Sequence, residues 1–81
     1  MKPLEGELQK ERASSLGRAG AALERALAAW REATRNGSDV AAAKAEAQRR
    51  LWYLVVQREA LGLRRHREIY DLYGVPKSWW Y

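Results

Sequence analysis

The run "RNGSD" (35–39) stands between two long stretches of helix-forming residues, and no other feature constrains the fold as strongly. Gly37 supplies a left-handed residue that ends one helix, and Ser38 or Asp39 can accept from the first free N–H groups of the next. A connection this short makes the two helices antiparallel neighbours. The first helix is expected over residues 7–36, with residues 1–6 outside it. The second is expected over 39–73, either continuous or kinked near Gly62 into a separate short helix, "RRHREIYDLY", ahead of an aromatic tail over 75–81. One all-helical domain accounts for the chain.

In the first helix the apolar stripe reads Leu16, Gly20, Leu23, Leu27, Trp30, Thr34, in alternating steps of four and three. That spacing is the seam of a hairpin or bundle. Gly20 falls on the seam, which favours a close helix crossing there, where a missing side chain lets backbones approach. The second helix opens with "VAAAKAEAQRR", a strong helix former, and continues into "LWYLVV" (51–56), too short for a membrane span. Leu51, Leu54, Val55 and Leu61 face one way; Trp52, Val56 and Leu63 point elsewhere. A single partner helix covers one face only, so the second needs another cover. The expectation is an all-α antiparallel helical hairpin with a short C-terminal helical segment, paired through Trp52, Val56 and Leu63 into a four-helix-bundle-like homodimer.

The segment "YGVPKSWWY" (73–81) raises the prospect of a helix-turn-helix DNA reader. The crossing position four residues before Gly74 is Tyr70, where that motif needs a small residue, and barely one turn of chain remains after Pro76. A recognition helix needs more length to reach base edges. The segment reads as a helix stop, with Gly74 left-handed, Val75 apolar and Pro76 unable to extend the helix. Gly62 followed by Leu63 has the same form. Packing is the default for the aromatic tail, with Trp79 and Trp80 folded back over the second apolar face of the second helix, although the tail is too short to shield all of that face.

The stretch "VVQREALGLRRHREIYDLYGVP" (55–76), with "SLGRAG" (15–20) upstream, resembles a family of short uncharacterised bacterial proteins catalogued as a domain of unknown function. Val56, Gln57, Arg58, Glu59, Gly62, Leu63, Arg64, His66, Tyr73, Gly74 and Pro76 carry the resemblance, and Arg65 stands where an acidic residue is the rule. The resemblance implies an all-helical fold with no assigned activity.

Function classes narrow quickly. With no Cys, a disulfide framework, a zinc-thiolate site and a cysteine nucleophile are excluded. His66 is the only histidine, and neither H-x-x-x-H nor E-x-x-H occurs, so no metal site is expected. No phosphate-binding or nucleophile motif is present either. The expectation is no enzyme, no cofactor and no catalytic residue. The N-terminal run "MKPLEGELQKER" lacks the apolar core of a secretory signal, which points to a soluble, cytoplasmic protein without membrane association.

Gln57, Arg58, Glu59, Arg64 and His66 are grouped as a polar network that sets the register of packed helices. Net charge is +5, and it is uneven: residues 49–81 carry seven Lys/Arg against three Asp/Glu. Part of it is matched at i,i+4 spacing by Glu46–Arg50, Arg64–Glu68 and Arg67–Asp71. The leading expectation is a protein–protein interaction or structural module acting as a homodimer, with a further protein partner left open. The runner-up is a nucleic-acid accessory protein using Arg49, Arg50, Arg64, Arg65 and Arg67.

Overall fold

The computed structural model describes residues 16–81. Within them lie helix α1, Leu16–Asn36; helix α2, Val40–Ala60; a short helix α3, Arg67–Tyr73; and a 3₁₀ turn, Lys77–Trp79. The described residues are helical and connecting only, with no strand. The start of the first helix near Glu7, and residues 1–6, lie outside the described residues.

Three glycines punctuate the chain in the same way. Gly37, Gly62 and Gly74 hold φ of 67°, 85° and 69°. After each, a backbone N–H reaches back five residues: Ser38 to the Ala33 carbonyl, Leu63 to Arg58, Val75 to Tyr70. This bond, closed around a left-handed residue, satisfies a helix-end carbonyl that would otherwise be orphaned. It settles the open question at Gly62. The second helix stops at Ala60, and the helical conformation returns only at Arg67.

Asp39 is the N-cap of α2, but it adopts a left-handed conformation (φ 54°, ψ 36°) and its side chain makes no cap bond. The expected side-chain cap at this position is therefore absent. A capping residue normally takes an extended backbone to aim its oxygen at the free N–H groups.

α1 and α2 pack as the expected hairpin. Leu16, Leu23, Ala26 and Leu27 meet Ala47, Leu51, Leu54 and Val55 in one buried cluster, which Ile69, Tyr70, Val75 and Trp79 complete from the C-terminal segment. The predicted α1 seam holds from Leu16 through Leu27, and Trp30 packs against the cluster. It ends before Thr34, which is exposed and returns its hydroxyl to the Trp30 carbonyl at 2.8 Å. Two further positions differ. Leu61 is 62% exposed rather than in the core, because it comes after the last helical residue and leaves the helical face. Leu63 packs against the core instead of joining Trp52 and Val56, because the Gly62 turn folds it back.

The C-terminal segment covers one flank of the hairpin. Tyr73 from α3 sits over Gly20, where any Cβ would collide with its phenolic oxygen. The space expected to serve a close crossing of helix backbones at Gly20 is instead taken by the tip of a tyrosine side chain from α3. Arg31 donates to the Tyr73 and Gly74 carbonyls at 3.3 and 3.0 Å, clamping the end of α3 onto α1. Trp79 packs at a tilt against Trp30 of α1, 4.7 Å between ring centroids, and Trp80 against Tyr70, so neither covers Trp52 and Val56 as the sequence led one to expect. Beyond Pro76 the chain makes a 3₁₀ turn, not a recognition helix.

Candidate functional site

Three surfaces or clusters hold the chemistry of the described residues. The first is buried at the end of α2. Arg58 is completely buried and donates from Nε to His66 Nδ1 at 3.1 Å and from Nη2 to the Arg65 carbonyl at 2.7 Å. The guanidinium has only donors, so Nδ1 must be the accepting nitrogen and the imidazole proton stands on Nε2. That nitrogen faces Glu59 Oε2 at 3.1 Å. The fold builds this chain of contacts by ending α2 at Ala60 and bringing His66 back beneath Arg58.

Of the five residues grouped from sequence, Arg58, Glu59 and His66 are brought together. Gln57 is exposed and turns to the opposite flank of α2, and Arg64 is exposed with no side-chain hydrogen bond or ion pair among the described residues. The physical reason is the non-helical stretch from Leu61 to His66, which cancels helical spacing across it. The same break separates Arg64 from Glu68, and neither that pair nor Arg67–Asp71 closes to an ion pair. Next to His66, Tyr70 is packed under Trp80 with ring centroids 5.1 Å apart, and burial pushes its phenol above the ordinary value.

The second surface is an open groove of about 480 Å³ on the flank that α3 leaves bare. Ala19 and Ala22 of α1 form its floor; Arg18, Arg49, Arg50, Tyr53 and Gln57 rise around it. A smaller hollow of about 240 Å³ continues it past Arg25 and Glu46. On α2, Arg50, Tyr53 and Gln57 succeed one another at steps of three and four and so share one face. Glu46 braces the pair of arginines. Its Oε1 accepts from Arg49 Nε at 3.0 Å and Nη2 at 2.5 Å, and its Oε2 accepts from Arg50 Nε at 2.8 Å. The hydrogen bonds from Arg50 and Arg49 hold the Glu46 carboxyl below the usual carboxylate range. Arg18 has no carboxylate partner among the described residues.

The third surface is apolar. Trp52, Tyr53 and Val56 are 48%, 42% and 42% exposed on the outward side of α2, with the Trp52 and Tyr53 rings 5.4 Å apart.

The five arginines grouped from sequence divide between these regions. Arg49 and Arg50 border the groove, whereas Arg64, Arg65 and Arg67 lie beyond the end of α2. Roughly 15 Å of helix separates Arg50 from Ala60. Two functional positions escape sequence reasoning. Arg18 belongs to the groove only because α1 and α2 are antiparallel, and Arg31 reaches α3 across forty-odd residues of chain. Tyr53, inside the run "LWYLVV", carries no role in the sequence reading either, and nothing local sets it beside Arg18.

Among the described residues no group of three or more His, Cys, Asp or Glu is placed to hold a metal ion. No helix among them is long and apolar enough to cross a membrane.

Fold and surfaces define a small all-helical protein, a hairpin carrying a short C-terminal helix across one flank. Residues 2–79 match the Family of unknown function (DUF6665), and the chain belongs to that family. No curated protein and no solved structure matches the chain.

Proposed function

We propose that the protein is a non-catalytic interaction module that works as a homodimer, joined through Trp52 and Val56 with Tyr53 at the rim. The observation that carries this reading is the exposure of Trp52, at 48%, and Val56, at 42%, side by side on the helix that buries Leu51, Leu54 and Val55. The C-terminal segment does not relieve that exposure. Val75 and Trp79 are spent on the core, and Trp80 on Tyr70. A short chain has little apolar surface to leave in water, and a twofold axis lets one patch cover its own copy. Basic side chains on the groove flank would repel their equivalents, which favours pairing through the Trp52 side instead.

Sedimentation equilibrium of the full chain tests the proposal. A dimer at micromolar concentration is expected, and Trp52→Glu should give monomers with an unchanged helical spectrum, since a charge there finds no partner in the interface. A wild-type monomer at high micromolar concentration would refute it. The nucleic-acid reading has less support, because its arginines do not form one continuous track.

A further inference from the structure

We propose that the groove between α1 and α2 is a binding site for a small phosphate monoester whose organic part lies against Tyr53. Nothing else among the described residues concentrates so many free donors around a cavity. Arg18, Arg49 and Arg50 approach it from two helices, and among the described residues Glu46 is the one carboxylate bound to them. Three guanidinium charges against one carboxylate leave two, the charge of a phosphate monoester dianion.

The donor inventory agrees with the charge. Each guanidinium has five N–H groups. Glu46 engages Arg50 through Nε alone and Arg49 through Nε and Nη2, so N–H groups remain on both, and Arg18 keeps its set. Glu46 thereby acts as a positioning residue: it holds two adjacent arginines side by side while leaving donors for a ligand. A phosphate monoester presents three terminal oxygens to such an array, where a carboxylate presents two and one charge.

The rest of the groove suits the ester's organic group. Alanines on the floor leave the depth open, and about 480 Å³ lies within the range of small-ligand sites. Tyr53 offers a ring face and a hydroxyl, and Gln57, one turn further, offers an amide that both donates and accepts. The basic lining is local, with Arg64, Arg65 and Arg67 placed elsewhere, which favours a compact ester over a polyanionic strand.

This site shares only Tyr53 with the proposed dimer face, so failure of either proposal leaves the other standing. The test is titration of the full-length protein with phenyl phosphate, followed by amide chemical-shift mapping, with benzoate and inorganic phosphate as comparators. Saturable shifts are expected at Ala22, Tyr53 and Gln57, tighter for phenyl phosphate than for benzoate. Arg18→Gln and Arg50→Gln should each weaken binding by about tenfold, the scale of one charge-assisted hydrogen bond, while Arg35→Gln should not. Both substituted arginines lie on the surface, and a circular dichroism melt confirms that each variant folds. The proposal is overturned by non-saturating shifts in the millimolar range, or by equal affinity in Arg18→Gln and wild type. It is also overturned if a single-stranded oligonucleotide binds more tightly than the ester and shifts Arg64 to Arg67 along with the groove, which would make the site part of a nucleic-acid track.

Discussion

The two flanks of the hairpin are built from the same two helices and end in opposite states. On one, Gly20 and Arg31 of α1 and Arg58 of α2 receive the chain that follows α2, and Arg58 is completely buried. On the other, Ala19 and Ala22 face Arg50, Tyr53 and Gln57, and no described element covers them. Both flanks contain arginine. The difference is what stands around it. Arg58 meets an imidazole nitrogen and a main-chain carbonyl inside a closed space, so its Nε and Nη2 are engaged by the fold itself. Arg50 shares a surface carboxylate with Arg49 and keeps donors for something else. A buried arginine specifies how the chain folds back; an exposed one stays available for recognition.

The largest effect is expected at Arg58. Arg58→Ala leaves the His66 nitrogen and the Arg65 carbonyl without their donor in a closed space, and should cost about 3–5 kcal/mol in urea denaturation. A loss below about 1 kcal/mol would mean that the cluster is not a determinant of the fold.

A smaller effect is expected where α3 rests on α1. Gly20→Leu drives a side chain into the Tyr73 ring and should destabilise by about 1–3 kcal/mol, whereas Ala22→Leu on the open flank should stay within about 0.5 kcal/mol. Equal losses at the two sites would erase the distinction between the flanks.

Tyr70 probes the covered flank through pH. Burial raises its phenol, so the folded state holds that proton more tightly than the unfolded chain. Its contribution is complete below the ordinary tyrosine range and is lost as pH rises through the raised folded value. Stability should therefore fall in the alkaline range beyond about pH 10, and Tyr70→Phe should remove that dependence.

The smallest effect belongs to the open flank. The Arg50 and Arg49 hydrogen bonds lower the Glu46 carboxyl, so its contribution is present above the ordinary glutamate range and disappears as pH falls through the lowered value. Arg50→Gln should reduce this acid-side slope in high-precision melts. At neutral pH it should barely move the midpoint, because solvent and salt screen an exposed pair.

Much of the fold was legible because helix stops are local. Gly37 and Gly74 announce their turns through the residues that flank them, whereas at Gly62 the residues leave a continuous helix open, and the left-handed φ and the bond spanning five residues decide it. Leu23, Leu27, Leu51 and Leu54 were legible as core by spacing. Legibility failed just past the stops. Leu61 and Arg64 were placed by helical angle, yet both lie in the stretch where no helix sets the angle. In the polar cluster, Arg58, Glu59 and His66 could be grouped by proximity in the chain, but not the order of their hydrogen bonds.

A helical hairpin is written into the residues themselves, because periodicity and glycine stops act over a few residues and need no partner to be read. Three things emerge only when the helices pack: which flank α3 covers, that Arg31 holds it there, and that Arg18 faces Arg49 and Arg50. Those pairings depend on the relative rotation of helices far apart in the chain, and rotation is set by packing summed over the whole interface rather than by any local preference.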